Sequence, residues 1–328
     1  MGGPSSEHEV SVKSGLNVLK HLDAKKYQAL PVFIDTRGLW LFHGKKEQPL
    51  TEPEALLLLR RKGVETAFLA LHGEYGEDGG VQGVLRHAGI TYTGSHALPS
   101  ALAMHKALAG KELTRAGLHV PDTLELKKGD WRKKPQEVLK ALYNHFGSRV
   151  VIKPINRGSS VGVSVVHIQK GDLGPLDAAV ERAFAASKQV MAQQYIRGRE
   201  VTCGVLDVRG EVHALLPTEI IPVGREFFDH VAKYDGASRE VTPPERMSLA
   251  LIKKIEATAV TAHRALGLRG VTRTDMIIAP GGQIYVLEVN TIPGMTEASL
   301  IPQQAKACGI SFTKLLDLMI EDATELIQ

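Results

Sequence analysis

The chain has 328 residues, of which 43% are hydrophobic and 23% charged, and its formal net charge is +4, as is ordinary for a soluble protein of two or three domains. The basic residues 127–134 lack the aromatic pattern of a nucleic-acid-binding surface, and we interpret them as a solvated loop. The longest apolar run covers residues 55–59 and is far too short to cross a membrane. Cys203 and Cys308 match no zinc or redox spacing, so we expect a cytoplasmic protein without nucleic-acid or membrane partners.

The first third of the chain alternates segments typical of helices and of strands. The opening MGGPSSEHEV predicts a turn into a helix, with Ser6 and Glu9 spaced as a capping box, although no strand precedes it. The segments LNVLKHL and GVQGVLRHAGI have helical spacing, whereas LPVFID, TAFLAL and TYTGS are short and rich in strand formers. The alternation predicts an α/β layer with a parallel sheet.

The rest of the chain combines longer helices with antiparallel hairpins. LPSALAMHKALAGKELTRAGL is predicted to be one helix, followed by the strand VPDTLEL, the helix KPQEVLKALYNHF, the hairpin RVVIKPINRGSSVGVSVVHI and the strand QVMAQQYI. Then come the strands EVTCGVLDV and EVHALLPTEII, a polar loop around FFDHVAKYDGAS, a helix over 244–266, the hairpin TDMIIAPGGQIYVLEV and the helix ISFTKLLDLMIEDATELI. The hairpins give this half α+β character.

The last hairpin carries two carboxylates and an amide at favourable spacing. Glu288 and Asn290 are two residues apart and so share one face of a strand, and the PGG turn can bring Asp275 opposite them. Such an all-oxygen cluster suits Mg²⁺, which takes few protein ligands. Charged side chains on a solvent-facing hairpin are the alternative, but the flanking apolar residues predict buried strands, where unpaired carboxylates are costly.

The tip of the earlier hairpin is a second candidate site. Gly158, Ser159, Ser160 and Gly162 are small and expose backbone N–H groups, and Lys153 lies on the strand that leads in. These features suit phosphate oxygens. The tip is not a Walker A loop, and an ordinary hairpin loop has a similar composition.

The two signals, in this order, resemble the ATP-grasp superfamily. The segments HGEYGEDGG, KPINRGSSVGVS, AKY and LEVNTIPGMTEASL resemble the D-alanine–D-alanine ligase family, and the resemblance runs from Gly2 to the final helix. It implies an N-terminal Rossmann-like parallel sheet without its first strand (1–94), then a two-subdomain ATP-grasp fold with a central (95–192) and a C-terminal (193–328) subdomain. Because a missing central strand would leave its neighbours unpaired, we expect the native start to lie upstream of Met1.

The resemblance also implies a reaction. Two D-alanine molecules are joined to D-alanyl-D-alanine for peptidoglycan synthesis, with ATP and two Mg²⁺ or Mn²⁺ ions, through an acyl phosphate. A homodimer formed through the N-terminal domain is implied as well. Two alternatives stay open: a carboxylate–amine ligase with another small amino acid as second substrate, and a divergent nucleotide-binding homologue with weakened activity.

The family's functional residues match positions of this chain. The resemblance implies catalytic roles for Glu7, Ser159, Tyr234, Arg273, Gly294 and Ser299, with Glu7 holding the ammonium of the first D-alanine. It implies nucleotide contacts for Lys106, Lys153, Ser160, Gln193, Gln194, Ile196, Glu200 and Lys233. It implies substrate contacts for Glu7, His72, Ser299 and Leu300, and metal ligation by Asp275, Glu288 and Asn290.

Some positions depart from the family pattern. His105 stands where the family usually has Asp, Arg157 where it usually has Glu, and Gln193 where it usually has an acid. Gln194 has no certain counterpart. Each replacement removes an acid from the surroundings of the nucleotide. Arg157 is interpreted either as an added phosphate contact or as a side chain that points to solvent.

Overall fold

The computed structural model describes residues 1–42, 48–222 and 238–324. Its N-terminal elements are α1 (His8–His21), β1 (Val32–Ile34), β2 (Trp40–Phe42), α2 (Glu52–Arg61), β3 (Thr66–Ala67), α3 (Gly80–His87) and β4 (Thr91–Tyr92). β3 and β4 pair in parallel, as predicted, but β1 pairs antiparallel with β2. The predicted parallel sheet is therefore present only in part, since the sequence did not reveal the hairpin that β1 forms with β2.

Residues 1–3 lie along β1 as a short parallel segment, with Gly2 bridging Ile34. On the other side of this segment, the Ser11 hydroxyl accepts a hydrogen bond from Gly2 N at 2.8 Å and donates one to Ala70 O. Ser11 on α1 thus bonds both to residue 2, beside β1, and to residue 70, in the loop after β3. The family resemblance predicts a longer strand at residues 1–3.

The predicted capping box at the start of α1 is wrong. The N-cap residue is Glu7, whose side chain makes no cap bond, and Ser6 is exposed. Ser5 closes the turn instead, because its hydroxyl accepts from Glu7 N at 3.0 Å and its carbonyl accepts from His8 N at 3.1 Å. The Glu7 carboxylate is therefore not used to cap the helix and can contact other parts of the chain.

The central elements are α4 (Ala97–Met104), α5 (Lys106–Arg115), β5 (Thr123–Leu126), α6 (Lys128–Lys133), α7 (Pro135–Phe146), β6 (Arg149–Pro154), β7 (Ser164–His167), α8 (Gly174–Ala186) and β8 (Val190–Gln194). The strands form an antiparallel sheet in the order β5-β8-β6-β7. β6 and β7 make the predicted hairpin, and its tip lies between them at residues 155–163.

Two central predictions are wrong. The long helix is interrupted at His105, whose backbone (φ −85°, ψ 83°) is not helical, so α5 begins at Lys106. The basic residues 127–134 include the helix α6 rather than a solvated loop. Trp131 fixes it, because its ring is buried and its Nε1 donates to Glu181 Oε1 at 2.6 Å. A buried aromatic anchors a segment whose charges suggested exposure.

The C-terminal elements are β9 (Arg199–Val208), β10 (Glu211–Ala214), β11 (Thr218–Pro222), β12 (Ser238–Val241), α9 (Leu249–Ala265), β13 (Val271–Ile278), β14 (Ile284–Asn290), α10 (Leu300–Ala307) and α11 (Phe312–Thr324). The sheet runs β12-β11-β9-β13-β14, with β10 paired to β9. α9 begins later than the predicted residue 244 because the Ser248 hydroxyl caps it, accepting from Leu251 N at 3.3 Å. The polar loop before β12 lies almost wholly outside the described residues.

Helices cover one face of the central sheet, and α9 covers one face of the C-terminal sheet, whose other face contacts α10 at Gly204. Val150 and Ile152 of β6 pack with α7 and α8, whereas Val201 and Met276 pack with α9. Because side chains alternate along a strand, Lys153 and Asp275 face the opposite sides of their sheets. These opposite faces carry the candidate site residues. Within the described ranges, every helix is too short or too polar to cross a bilayer.

Candidate active site

The Glu7 carboxylate lies where α1 meets the hairpin tip. Ser159 Oγ donates a hydrogen bond to Glu7 Oε1. Two glycines leave room for this contact: a methyl group on Gly158 would lie 2.6 Å from Glu7 Oε2, and one on Gly73 would lie 2.8 Å from it. Residues from three separate stretches of the chain therefore enclose one carboxylate.

The hairpin tip has a strained backbone. Ser159 and Ser160 have φ values of 50° and 57°, in the left-handed region that side chains other than glycine rarely adopt. Such conformations persist only where the surroundings hold them in place. The contact between Ser159 and Glu7 is one of those restraints.

His72 connects the N-terminal part to the loop that follows β14. Its Nδ1 donates to Ile292 O at 2.8 Å, and its Nε2 accepts from Ser14 Oγ at 2.8 Å. The same serine hydroxyl accepts from Met295 N at 3.2 Å. Burial lowers the pKa of His72, so the ring is neutral and this tautomer satisfies both nitrogens. His72 is therefore held rigidly between α1 and the 292–295 loop.

Glu77 ties the same loops together through its carboxyl group. Its oxygens accept from Gly73 N at 2.7 Å and from Ile292 N at 3.1 Å. Burial, and then the negative charge of Glu7, raise the pKa of Glu77 to about 7, against an opposing contribution from Arg273. Glu7 and Arg273 therefore each lie within electrostatic reach of Glu77.

The predicted register of the last hairpin is confirmed. Asp275 lies directly opposite Glu288, and Arg273 opposite Asn290, with an irregularity after Asp275 that leaves Leu287 without a pairing partner on β13. Asn290 Nδ2 donates to Asp275 Oδ2 at 3.2 Å. The two carboxylates and the amide therefore occupy one patch of the sheet.

Two basic side chains flank this carboxylate cluster. Arg273 donates to both oxygens of Asp275 at 2.8 Å, and Lys106 Nζ lies 3.1 Å from Glu288 Oε2. Burial lowers the pKa of Arg273, but the charge and hydrogen bonds of Asp275, together with the charges of Glu288 and Glu77, outweigh burial, so the pKa stands above its ordinary value. Thr202 Oγ1 adds a hydrogen bond to Asp275 Oδ1 at 2.7 Å. These contacts hold both carboxylates in place.

Lys106 owes its position to the break at His105. Its backbone N–H donates to Ile155 O at 3.1 Å, and its Nζ donates to Arg157 O at 2.7 Å. The start of α5 is thereby fastened to the hairpin tip, while the lysine head reaches Glu288 on β14. One side chain connects the central sheet with the carboxylate cluster.

The loop before α10 places Gly294 against Ser299. A methyl group on Gly294 would lie 2.8 Å from Ser299 Oγ. The Ser299 hydroxyl bonds to Thr296, accepting from Thr296 N at 3.0 Å, and Ser299 is the N-cap residue of α10, which begins at Leu300. Backbone N–H groups at a helix start favour an anion nearby.

A cavity of about 500 Å³ lies between α5, β8 and β14. Its lining includes Lys106, Glu288 and Gln193, whose Nε2 donates to Thr123 Oγ1 at 3.1 Å. Lys153 lies on the same face of the central sheet as Gln193, since their strands pair with Lys153 opposite Met191. The cavity thus opens between the two large sheets.

The other described residues that are predicted to contact the nucleotide do not all line this cavity. Ile196 is buried, and Glu200 shares the face of β9 that carries Thr202. The Gln194 amide oxygen instead accepts from Asp122 N at 3.4 Å, at an exposed strand end. Lys233 and Tyr234 lie outside the described residues.

Two family models cover most of the chain. Residues 1–95 match the model described as D-ala D-ala ligase N-terminus, and residues 113–321 match D-ala D-ala ligase C-terminus. The chain is 40% identical to D-alanine–D-alanine ligase from Geobacter sulfurreducens, across 98% of this chain and 92% of that one. The chain belongs to the D-alanine–D-alanine ligase family, within the ATP-grasp superfamily.

Solved structures of the family share the fold. VanG D-Ala:D-Ser ligase from Enterococcus faecalis gives a TM-score of 0.81 at 32% identity, over 98% of this chain and 96% of that one. D-alanine–D-alanine ligase from Bacillus anthracis, complexed with ATP, gives 0.76 at 31% identity, over 99% and 96%. The mixed α/β architecture is therefore that of the D-alanine–D-alanine ligases.

Sequence reasoning missed several residues of this D-alanine–D-alanine ligase family site. Ser14 lies seven residues after Glu7 on α1, a same-face spacing that could have indicated it. Thr202 stands in an otherwise apolar part of β9. Arg157 forms an ion pair with Glu74 at 2.5 Å, a contact that neither interpretation predicted. No local signal predicts that pair, since its partners are far apart in the chain.

Proposed function

We propose that the protein joins two D-alanine molecules into D-alanyl-D-alanine, with ATP converted to ADP and phosphate. The observation that carries this proposal is that the hairpin tip contacts both parts of the site. Ser159 of the tip donates a hydrogen bond to Glu7, and Lys106 Nζ, which donates to Arg157 O of the same tip at 2.7 Å, lies 3.1 Å from Glu288 in the carboxylate cluster. A carboxylate that can hold an ammonium thus lies near a cluster that can hold a metal and phosphates. Membership of the family over nearly the whole chain supports the same reaction.

Asp275, Glu288 and Asn290 fit Mg²⁺ as a donor set. They supply only oxygen ligands, from two opposed carboxylates and an amide, and Mg²⁺ completes its shell with water and phosphates. Among the described residues there is no cluster of three or more His, Cys, Asp or Glu side chains suited to a metal, so this donor set consists of two carboxylates and one amide. When bound, two Mg²⁺ or Mn²⁺ ions would neutralise charge on the ATP phosphates.

The chain's own residues orient the first D-alanine. Glu7 pairs with its ammonium, and Ser159 keeps the Glu7 carboxylate in place. The D-alanine carboxylate then attacks the γ-phosphorus of ATP, the bond to ADP breaks, and an acyl phosphate forms. Lys106 and Lys153 hold the phosphates, with Ser160 at the hairpin tip nearby.

The second D-alanine reacts by its amine. The deprotonated amine attacks the acyl carbonyl, a tetrahedral oxyanion forms, and phosphate leaves. Arg273 and the N–H of Gly294 stabilise that oxyanion. Ser299 and the backbone of Leu300, at the start of α10, hold the second carboxylate.

The adenosine end of ATP binds between the two large sheets. We assign Gln193, Gln194, Ile196 and Glu200 to it. Lys233 and Tyr234 belong to a loop that closes the site and excludes water from the acyl phosphate, and this assignment lies outside the described residues.

Wider features of the chain stay proposals. They are the domain limits 1–94, 95–192 and 193–328, a homodimer formed through the N-terminal domain, a cytoplasmic location, and a role in peptidoglycan precursor synthesis. The size of the protein in solution tests the dimer.

A product assay tests the reaction. We expect D-alanyl-D-alanine and one phosphate per dipeptide from protein, ATP, Mg²⁺ and D-alanine, and no product from L-alanine. Phosphate release with L-alanine but not with D-alanine would refute the proposal. The absence of Mg-ATP binding by calorimetry would favour a divergent homologue with weakened activity.

A second amino acid other than D-alanine is a specific alternative. One structural relative is the VanG D-Ala:D-Ser ligase from Enterococcus faecalis. Competition between D-alanine and D-serine for the second position, with the two dipeptides separated by mass, decides between them. A dominant mixed dipeptide would assign the chain to that alternative.

A further inference from the structure

Arg157 and Glu74 join the hairpin tip to the loop that follows β3. Arg157 Nη1 lies 2.5 Å from Glu74 Oε2, and the two side chains are 31% and 37% exposed. Arg157 immediately precedes the Gly158-Ser159 pair, and Glu74 lies two residues after His72. The ion pair therefore connects the two loops that border Glu7.

Arg157 is fixed at three points. Besides the ion pair, its Nε donates to Ala186 O at 3.2 Å, at the end of α8, and its carbonyl accepts from Lys106 Nζ at 2.7 Å. The side chain is therefore held against the body of the central part while its guanidinium reaches the N-terminal loop. The guanidinium therefore contacts Glu74, and the Arg157 side chain is only partly exposed to solvent.

The hairpin-tip residues that follow Arg157 have a backbone conformation that must be held in place by contacts with their surroundings. Ser159 and Ser160 have left-handed backbones, which are strained and persist only where the surroundings hold them in place. Inside the tip, Val161 N donates to Gly158 O at 3.2 Å and Val163 N donates to Ser160 O at 3.1 Å. Contacts to other elements, such as that between Ser159 and Glu7, add to this restraint.

We propose that the Arg157–Glu74 ion pair is a latch that positions the hairpin tip, and with it Ser159, against Glu7. Its residues are positioning residues, since neither contacts the reacting atoms. In terms of the reaction, the latch keeps the first D-alanine site assembled before substrate arrives. The expected effect on the KM for D-alanine rests on the proposed function. The positioning of the hairpin tip by the ion pair does not, because it can be measured in the protein without substrate.

The test is a double-mutant cycle with Glu74→Gln, Arg157→Gln and the double variant. Partly exposed ion pairs are weak, so we expect each single variant to raise the KM for the first D-alanine by roughly two- to fivefold, with little change in kcat. The double variant should be no worse than Arg157→Gln alone. The reversed pair, Glu74→Arg with Arg157→Glu, should recover part of the loss, although it cannot remake the bond to Ala186.

Backbone amide hydrogen exchange, measured without substrate, gives a second readout. Peptides covering 156–163 should exchange faster in both single variants and slow again in the reversed pair. Lys134→Gln is the matched control, because it removes one cation from an exposed pair with Glu137 (2.9 Å) on the same part of the chain. It should change neither KM nor exchange at the tip.

Two outcomes would overturn the latch: additive losses in the double variant, or unchanged tip exchange in Glu74→Gln. If the wild-type protein forms no dipeptide, the proposed function fails while the exchange cycle still decides the latch. If dipeptide forms normally and the exchange cycle shows no coupling, the latch alone fails.

Discussion

Gly158→Ala tests the role of Glu7 by moving it rather than removing it. The added methyl group would lie 2.6 Å from Glu7 Oε2, well inside the 3.0 Å below which real Cβ contacts essentially never occur. Gly158 does not have a left-handed backbone, so alanine fits its conformation. The nearest neighbour is the end of a flexible side chain, so the carboxylate will shift by several tenths of an ångström while the fold stays intact.

The size of the effect follows from what Glu7 binds. A hydrogen bond between charged groups contributes about 1.5–3 kcal/mol, so losing its alignment should raise the KM for the first D-alanine by roughly 10- to 100-fold. The free energy of unfolding should stay the same or rise by about 0.4–1 kcal/mol, because alanine restricts the unfolded chain. Binding and stability are therefore expected to change in opposite directions.

Steady-state kinetics with the two D-alanine KM values separated, together with urea unfolding, measure both quantities. Gly83→Ala is the control, since a methyl group at this exposed position of α3 meets no atom within 4 Å. In a Glu7→Ala background, Gly158→Ala should have no further effect on KM. A wild-type KM in Gly158→Ala, or an equal loss in both backgrounds, would refute the assignment of Glu7.

Three further predictions concern other groups. Glu77→Gln should weaken the fall of stability with rising pH. Because the pKa of Glu77 is raised from 4.5 to about 7, the folded chain binds more protons than the unfolded chain between these values. Between pH 5 and pH 8 the wild-type free energy of unfolding should therefore fall by about 2.5 kcal/mol relative to the variant, as measured by urea unfolding. Asp275→Asn should raise the Mg²⁺ concentration needed for half-maximal product formation by at least roughly tenfold, and an unchanged Mg²⁺ titration would remove Asp275 from the metal site. Ser299→Ala should raise the KM of the second D-alanine by roughly tenfold and leave that of the first unchanged, which separate titration of the two sites measures.

Local patterns predicted the elements that carry the chemistry. The spacing of Glu288 and Asn290 and the PGG turn were enough to predict Asp275 opposite Glu288, because register in a hairpin follows from the turn and the alternation of side chains. The break at His105 was not predictable in this way. His105 is neither Gly nor Pro, and the break depends on tertiary contacts such as that between Lys106 N and Ile155 O.

The remaining site contacts join distant parts of the chain. His72 contacts Ile292, and Arg157 contacts Glu74, with nothing in either local sequence to indicate the partner. The family resemblance indicated His72 by position, but not the tautomer or the partners that hold it. Such details depend on which loops the fold brings together, and periodicity carries no information about them.

The hydrogen bonds that join Ser14 and His72 to the 292–295 loop have a consequence for the order in which the protein folds. Ser14 bonds to Met295 across 281 residues, and His72 to Ile292 across 220. Closing such long loops costs more chain entropy than forming local turns and hairpins, so these contacts are expected to form late. Both ends of the chain must then be in place before the 292–295 loop, and with it Gly294, reaches its working position. Recovered ligation would therefore report the last stage of refolding, after the helical and sheet signals have returned.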